Sequence, residues 1–199
     1  SSWSRDRRSS KMRILSLDVS MTATGWAIVV LNANSLELLD CGVIQTEKLE
    51  SGESVSNTID SMRRATKIYT ALSAAMRGHS FDVVVVEAMS WPRNAGASIK
   101  MAMAWGALAP LIAGYPIVEV GPQALKLAVA GTKSATKKEV EAGVRKQIPG
   151  TSSSLLESLI PKRALREHCW DALGAVLAAL RTEKWALIQA GLRAGLQKP

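Results

Sequence analysis

Residues 14–30 hold two apolar runs about a short polar turn: Ile14, Leu15 and Leu17 lead to Asp18, and Gly25-Trp26-Ala27-Ile28-Val29-Val30 returns after the turn. That pattern predicts a hairpin of two strands buried on both faces. Residues 36–46 alternate well enough for a third strand, antiparallel to the second across a loop holding Asn32 and Asn34. From 54 to 77, Ile59, Met62, Ile68, Leu72 and Met76 fall at near-helical spacing with Arg63, Arg64 and Lys67 between them, so a long amphipathic helix ending at Gly78 is expected. Residues 81–87 hold four consecutive valines and close on Glu87, the pattern of an interior strand with its acid at the C-terminal end.

Residues 94–113 read as a helix opened by Asn94 and rich in Ala and Gly, which lets another helix approach closely; Pro110 is expected to kink or end it. A short last strand at 116–120 follows, then a helix at 122–130. A further helix at 136–147 is opened by Thr136, with Glu139 at the capping-box position. The serines at 151–154 predict a loop, and 164–180 with 183–196 predict one long helix or two, apolar over much of the circumference. Three meandering strands, then helix, strand, helix, strand and helices make a mixed α/β layer fold. Residues 1–11 lack the apolar middle of a signal peptide and read as a flexible basic arm or expression remnant, leaving 12–199 as one domain.

Composition narrows the partners. The formal charge is +8 and the pI about 9.8, which favours a polyanion, nucleic acid before membrane. The charge is uneven: from Arg93 to Arg166 there are eleven Lys and Arg against four Asp and Glu. Solubility charge on helix surfaces is the plain alternative. No apolar run approaches the roughly 20 residues of a bilayer span, and the two cysteines, Cys41 and Cys169, fit a reducing cytoplasm better than a disulfide framework.

The candidate chemistry starts from Asp18. A carboxylate at the end of a buried strand needs a lysine, an arginine or a metal ion beside it, unless it simply caps the strand and starts the turn. Glu87 is a second strand-end acid, open to the plainer reading of a salt-bridge partner. His168 and Asp171, three residues apart, share one face at the polar start of an apolar helix; either also suits a helix N-terminus without further role. Together the four could hold two divalent ions in phosphodiester hydrolysis, Mg²⁺ or Mn²⁺, the imidazole tilting the set towards Mn²⁺.

The segments LSLDVSMTATGWAIV, VVVVEAMSWPRNAGASIKMAMAWGAL, VGPQALKLAVAGTKSATKKEV and HCWDALGAVLAAL, in that order and spacing, resemble the RuvC family of Holliday-junction resolvases over residues 12 to about 180. The resemblance implies an RNase H-like fold with a mixed five-stranded sheet, a homodimer and Mg²⁺-dependent cleavage of four-way DNA junctions by paired nicks. It involves no membrane and no organic cofactor, and its setting is a bacterial-type or phage-infected cytoplasm. It places the acidic tetrad on Asp18, Glu87, His168 and Asp171, and catalytic lysines on Lys126 and Lys137. Arg93, Lys100, Lys133, Lys138, Arg145 and Lys146 are then candidate phosphate contacts. Three departures stand out. Asp18-Val19-Ser20 replaces Asp-Pro-Gly, so proline and glycine do not set the turn. His168 replaces an acid. Ser90 replaces an aromatic, with Trp91 beside it as a candidate to stack on an unpaired base. The helix from Asn94 is the expected contact between copies, with Met101, Met103 and Trp105 on its packed surface and Ala104 the position where charge should break it.

Two other readings share this scaffold: a nuclease of broader appetite for forks and flaps, and a non-catalytic junction-binding module. An actin- or sugar-kinase-type ATPase also opens on a strand, Asp and Gly hairpin, but calls for a second glycine-rich phosphate loop that the sequence lacks.

Overall fold

The computed structural model describes residues 11–33, 35–49, 55–89 and 94–194. Strands β1 (Met12–Asp18), β2 (Ala23–Leu31) and β3 (Leu36–Gln45) form the expected meander. Helix α1 (Asn57–Met76) leads to β4 (Val83–Glu87), then α2 (Ala95–Ile112) and β5 (Ile117–Val120). The chain closes with α3 (Pro122–Ala130), α4 (Lys137–Arg145), α5 (Gly150–Leu159), a 3₁₀ turn at Arg163–Leu165, α6 (Arg166–Ala179) and α7 (Glu183–Arg193).

The sheet order is β3-β2-β1-β4-β5. β1 pairs antiparallel with β2 and parallel with β4, Leu17 lying opposite Val86, so Asp18 and Glu87 leave the sheet side by side. Strand parity then sorts the side chains. Ile14, Val83, Val85, Ala27 and Val29 face a layer in which α6 is central, while Leu15, Leu17, Ile28, Val84 and Val86 face α1 and α2. Asp18 and Glu87 share parity with Ile14 and Val85 and therefore open on the α6 side. Along α6 every residue from Cys169 to Ala179 is buried, which explains why its pattern is apolar nearly all round.

Several sequence expectations change. Residues 151–154 are not a loop but the first turns of α5: Ser152 is buried, and its Oγ accepts from the backbone N–H of Leu38 at 3.0 Å, tying the helix to the edge strand β3. Tertiary docking overrides the weak helix preference of serine. Pro110 does not end α2, which continues to Ile112. The last segment is two helices, divided where Thr182 Oγ1 accepts from Trp185 N–H at 3.1 Å. On α1, Ile59 and Met62 point outward at 55% and 53% exposure, whereas Arg64 is buried. Finally, α2 is by length and composition apolar enough to span a bilayer, with mean hydropathy 1.3 and only 17% of it buried, which corrects the expectation that no run reaches that length.

Candidate active site

The turn that carries Asp18 is held by hydroxyls. Ser20 Oγ donates to Ala23 O at 3.0 Å and accepts from Ala23 N–H at 3.1 Å, while Thr24 Oγ1 donates to Ser20 O at 2.7 Å. These bonds do the work that proline and glycine do in an Asp-Pro-Gly turn. Behind the turn, the buried Arg64 donates from Nη2 to Met21 O at 3.2 Å and from Nε to Thr46 Oγ1 at 2.8 Å, and Thr46 Oγ1 itself donates to Met21 O.

The start of α6 sits against the sheet at the same edge. Ser16 Oγ donates to Ala172 O at 2.7 Å, and Gly25 on β2 faces the backbone of His168 so closely that a Cβ there would lie 2.4 Å from the His168 carbonyl oxygen. This docking aims His168 and Asp171 at the strand-end acids. His168 Nδ1 lies 3.1 Å from Asp18 Oδ2, and Lys137 Nζ, from the first turn of α4, forms an ion pair with Asp171 Oδ2.

The electrostatics record how close these groups are. Burial, reinforced by the Asp18 and Asp171 carboxylates, pushes Glu87 up to about 7, against the opposing pull of Lys137 and Lys126. The bond to Asp18 raises the His168 imidazole above its ordinary value despite burial. Burial also raises Asp171, with Lys137 acting against it. Three carboxylates thus share one partly desolvated edge with two cationic partners.

That set fits a divalent cation by donor type and by charge: oxygen donors dominate, one imidazole joins them, and no ion pair engages Glu87 among the described residues. Asp18, Glu87, His168 and Asp171 are the residues that would hold it. As the side chains stand, no three His, Cys, Asp or Glu among the described residues form a group that could hold a metal ion, and Asp18 and Asp171 are engaged by His168 and Lys137.

A family model described as "Crossover junction endodeoxyribonuclease RuvC" matches residues 14–153. The chain belongs to the RuvC family. The crossover junction endodeoxyribonuclease RuvC of Granulibacter bethesdensis is 32% identical over 143 residues, covering 71% of this chain and 75% of that protein. The RuvC of Methylobacterium radiotolerans is 29% identical over 193 residues, 95% of this chain and 83% of its own, a match that takes in α6 where the family model does not. Among solved structures, T. thermophilus RuvC in complex with Holliday junction substrate aligns with a TM-score of 0.63 and 25% identity, covering 84% of this chain and 92% of that one. The fold is the RNase H-like fold of RuvC nucleases, an enzyme class dependent on divalent metal.

The remaining candidate residues of this RuvC-family chain divide. Lys126 on α3 is near enough to act on Glu87 electrostatically. Lys133, Lys138 and Lys146 are exposed on or beside α4, in the layer of the site, whereas exposed Lys100 is on α2 in the opposite layer. Arg145 is engaged within its own layer: it bonds Glu141 at 2.7 Å and Glu157 at 2.5 Å, with its guanidinium carbon 4.5 Å from the Trp170 ring centroid. Trp91 and Arg93 lie outside the described residues. Sequence reasoning passed over Gly25, Ser16 and Arg64. Their signals were a polar residue inside an apolar strand, a glycine midway along another, and a charge on the inward stripe of α1.

Proposed function

We propose that this protein resolves four-way DNA junctions by paired symmetric nicks, with two Mg²⁺ ions, or Mn²⁺ in their place, held by Asp18, Glu87, His168 and Asp171. The observation that carries the reading is the convergence of these four groups on one sheet edge of a RuvC-family chain, where burial and the neighbouring carboxylates outweigh the pull of Lys137 and Lys126 on Glu87. When bound there, the ions would supply an activated water and a Lewis acid for the leaving oxygen. Asp18 is held in place by the Ser20 turn, and His168 orients its carboxylate through Nδ1. Lys126 and Lys137 provide positive charge where the phosphodiester gains negative charge in the transition state. Lys133, Lys138 and Lys146 position the backbone of the DNA without reading its sequence; Arg145 serves the fold rather than the DNA.

Paired nicks call for two active sites related by a twofold axis, hence a homodimer. The support is the outer face of α2. Ala104, Leu108 and Ile112 point into the protein, while Ala95, Ile99, Ala102, Gly106 and Ala109 are exposed at helical spacing, Ile99 at 60%. The contact is therefore read on that outer stripe, not around Ala104, which the chain's own α1 covers. The free, buried Cys41 and Cys169 suit work in a reducing cytoplasm.

An end-labelled four-way junction, offered with and without Mg²⁺ or Mn²⁺ beside matched forks and flaps, tests the function. Symmetric, metal-dependent nicks that Asp18→Asn abolishes are expected. Equal cutting of every branched substrate would instead indicate a general branch nuclease, and binding without cutting a junction-binding module.

A further inference from the structure

Lys137 occupies an unfavourable place for a cation. It is the first residue of α4, where the helix dipole favours negative charge. The helix start itself is fixed by a reciprocal cap: Thr136 N–H donates to Glu139 Oε2 at 2.7 Å, and Glu139 N–H donates to Thr136 Oγ1 at 3.4 Å. What compensates the lysine is Asp171. The two partners differ sharply in freedom, since the Lys137 side chain is 58% exposed and that of Asp171 only 6%, on a helix buried from Cys169 onward.

From this arrangement we infer that Lys137 is the resident counter-ion of the metal-free site, a built-in competitor that must release Asp171 Oδ2 before that oxygen can ligate a divalent cation. The inference rests on the proposed metal site and adds the order of events within it. His168, the group bonded to Asp18, differs in kind: a deprotonated imidazole nitrogen can itself ligate a metal, whereas an ammonium has no lone pair to offer. Among the described residues no cation bonds Glu87, and Asp18 is bonded by a group that can itself ligate, so Asp171 is the acid at which exchange is needed. Once displaced, the flexible four-carbon stem lets the ammonium turn to the DNA phosphate. The lysine thus holds the buried carboxylate in place before metal arrives and neutralises substrate afterwards.

The test is Mn²⁺ binding to the DNA-free full chain, followed by electron paramagnetic resonance, for wild type, Lys137→Met, Lys137→Arg and Asp171→Asn. Lys137→Met should bind Mn²⁺ about three- to fivefold more tightly, the scale of a half-exposed ion pair, and yet cut junctions more slowly at saturating metal. Lys137→Arg, which keeps the competing charge, should not gain affinity. In parallel, wild type with ¹³C-methylated lysines should show the Lys137 signal shift on Mg²⁺ saturation. Unchanged or weaker Mn²⁺ binding in Lys137→Met, with Asp171→Asn still abolishing it, would overturn the counter-ion role alone. Full Mn²⁺ binding in Asp171→Asn would overturn the metal-site reading and this inference with it.

Discussion

Gly25 on β2 and His168 on α6 touch backbone to backbone: a Cβ on Gly25 would lie 2.4 Å from the His168 carbonyl oxygen and 2.7 Å from its Cβ. The obstacle is main chain on a fully packed helix, not the end of a flexible side chain, so it cannot step aside. Gly25→Ala should therefore push the start of α6 off the sheet edge, costing about 2–3 kcal/mol of stability and lowering junction cleavage by about a hundredfold through misplacement of His168 and Asp171. Thermal unfolding and single-turnover cleavage of the variant check both; near-normal rates would show that α6 tolerates the shift.

Glu87 gives the metal-free protein a pH signature. Its folded value of about 7 lies above the ordinary 4.5, so the folded state binds the proton more tightly. The stabilisation is present in full below about pH 4.5 and is lost as pH rises through about 7, a total of at most about 3 kcal/mol. Wild type without metal should lose stability across that window and Glu87→Gln should lose less. Added Mg²⁺ should flatten the slope, because a cation favours the ionised form. Denaturant unfolding at a series of pH values measures it.

On α2 the exposed stripe, not the buried one, is where the proposed dimer would be disturbed. Ala102→Glu should raise the dimer dissociation constant about tenfold or more by placing a charge in the contact, with little effect on monomer stability since residue 102 is exposed. Sedimentation at graded concentrations distinguishes the outcomes. Ala104→Glu is instead expected to unfold the protein, since Ala104 is fully buried.

Arg64 braces the Asp18 turn from behind. Arg64→Met would remove the donor to the Thr46 hydroxyl and one of the two donors to Met21 O in the interior, costing about 2 kcal/mol. Its neighbour Arg63, with its side chain 43% exposed, should cost no more than about 1 kcal/mol on conversion to Ala. Urea unfolding of the two variants side by side provides the comparison.

How far the sequence carried the description depends on the range of the interaction involved. The β1–β2–β3 meander, the valine strand ending at Glu87 and the Thr136–Glu139 cap rest on neighbours close in the chain, and pattern alone exposed them. Membership of a nuclease family was also legible, through the resemblance of four segments in order, and strand-end acids with a His/Asp pair at spacing three singled out the four residues proposed as ligands. The serines of α5 were misread since their helix is stabilised by docking on Leu38, more than a hundred residues away in sequence. The orientation of α2 was misjudged for a similar reason: an Ala-rich helix has no strong polar face to announce which side is buried, and only its packing against α1 decides. The pairings of Lys137 with Asp171, His168 with Asp18 and Gly25 with the His168 backbone belong wholly to the tertiary structure. Each joins segments that local propensity treats as independent, brought together only when α6 buries its apolar circumference against the middle of the sheet.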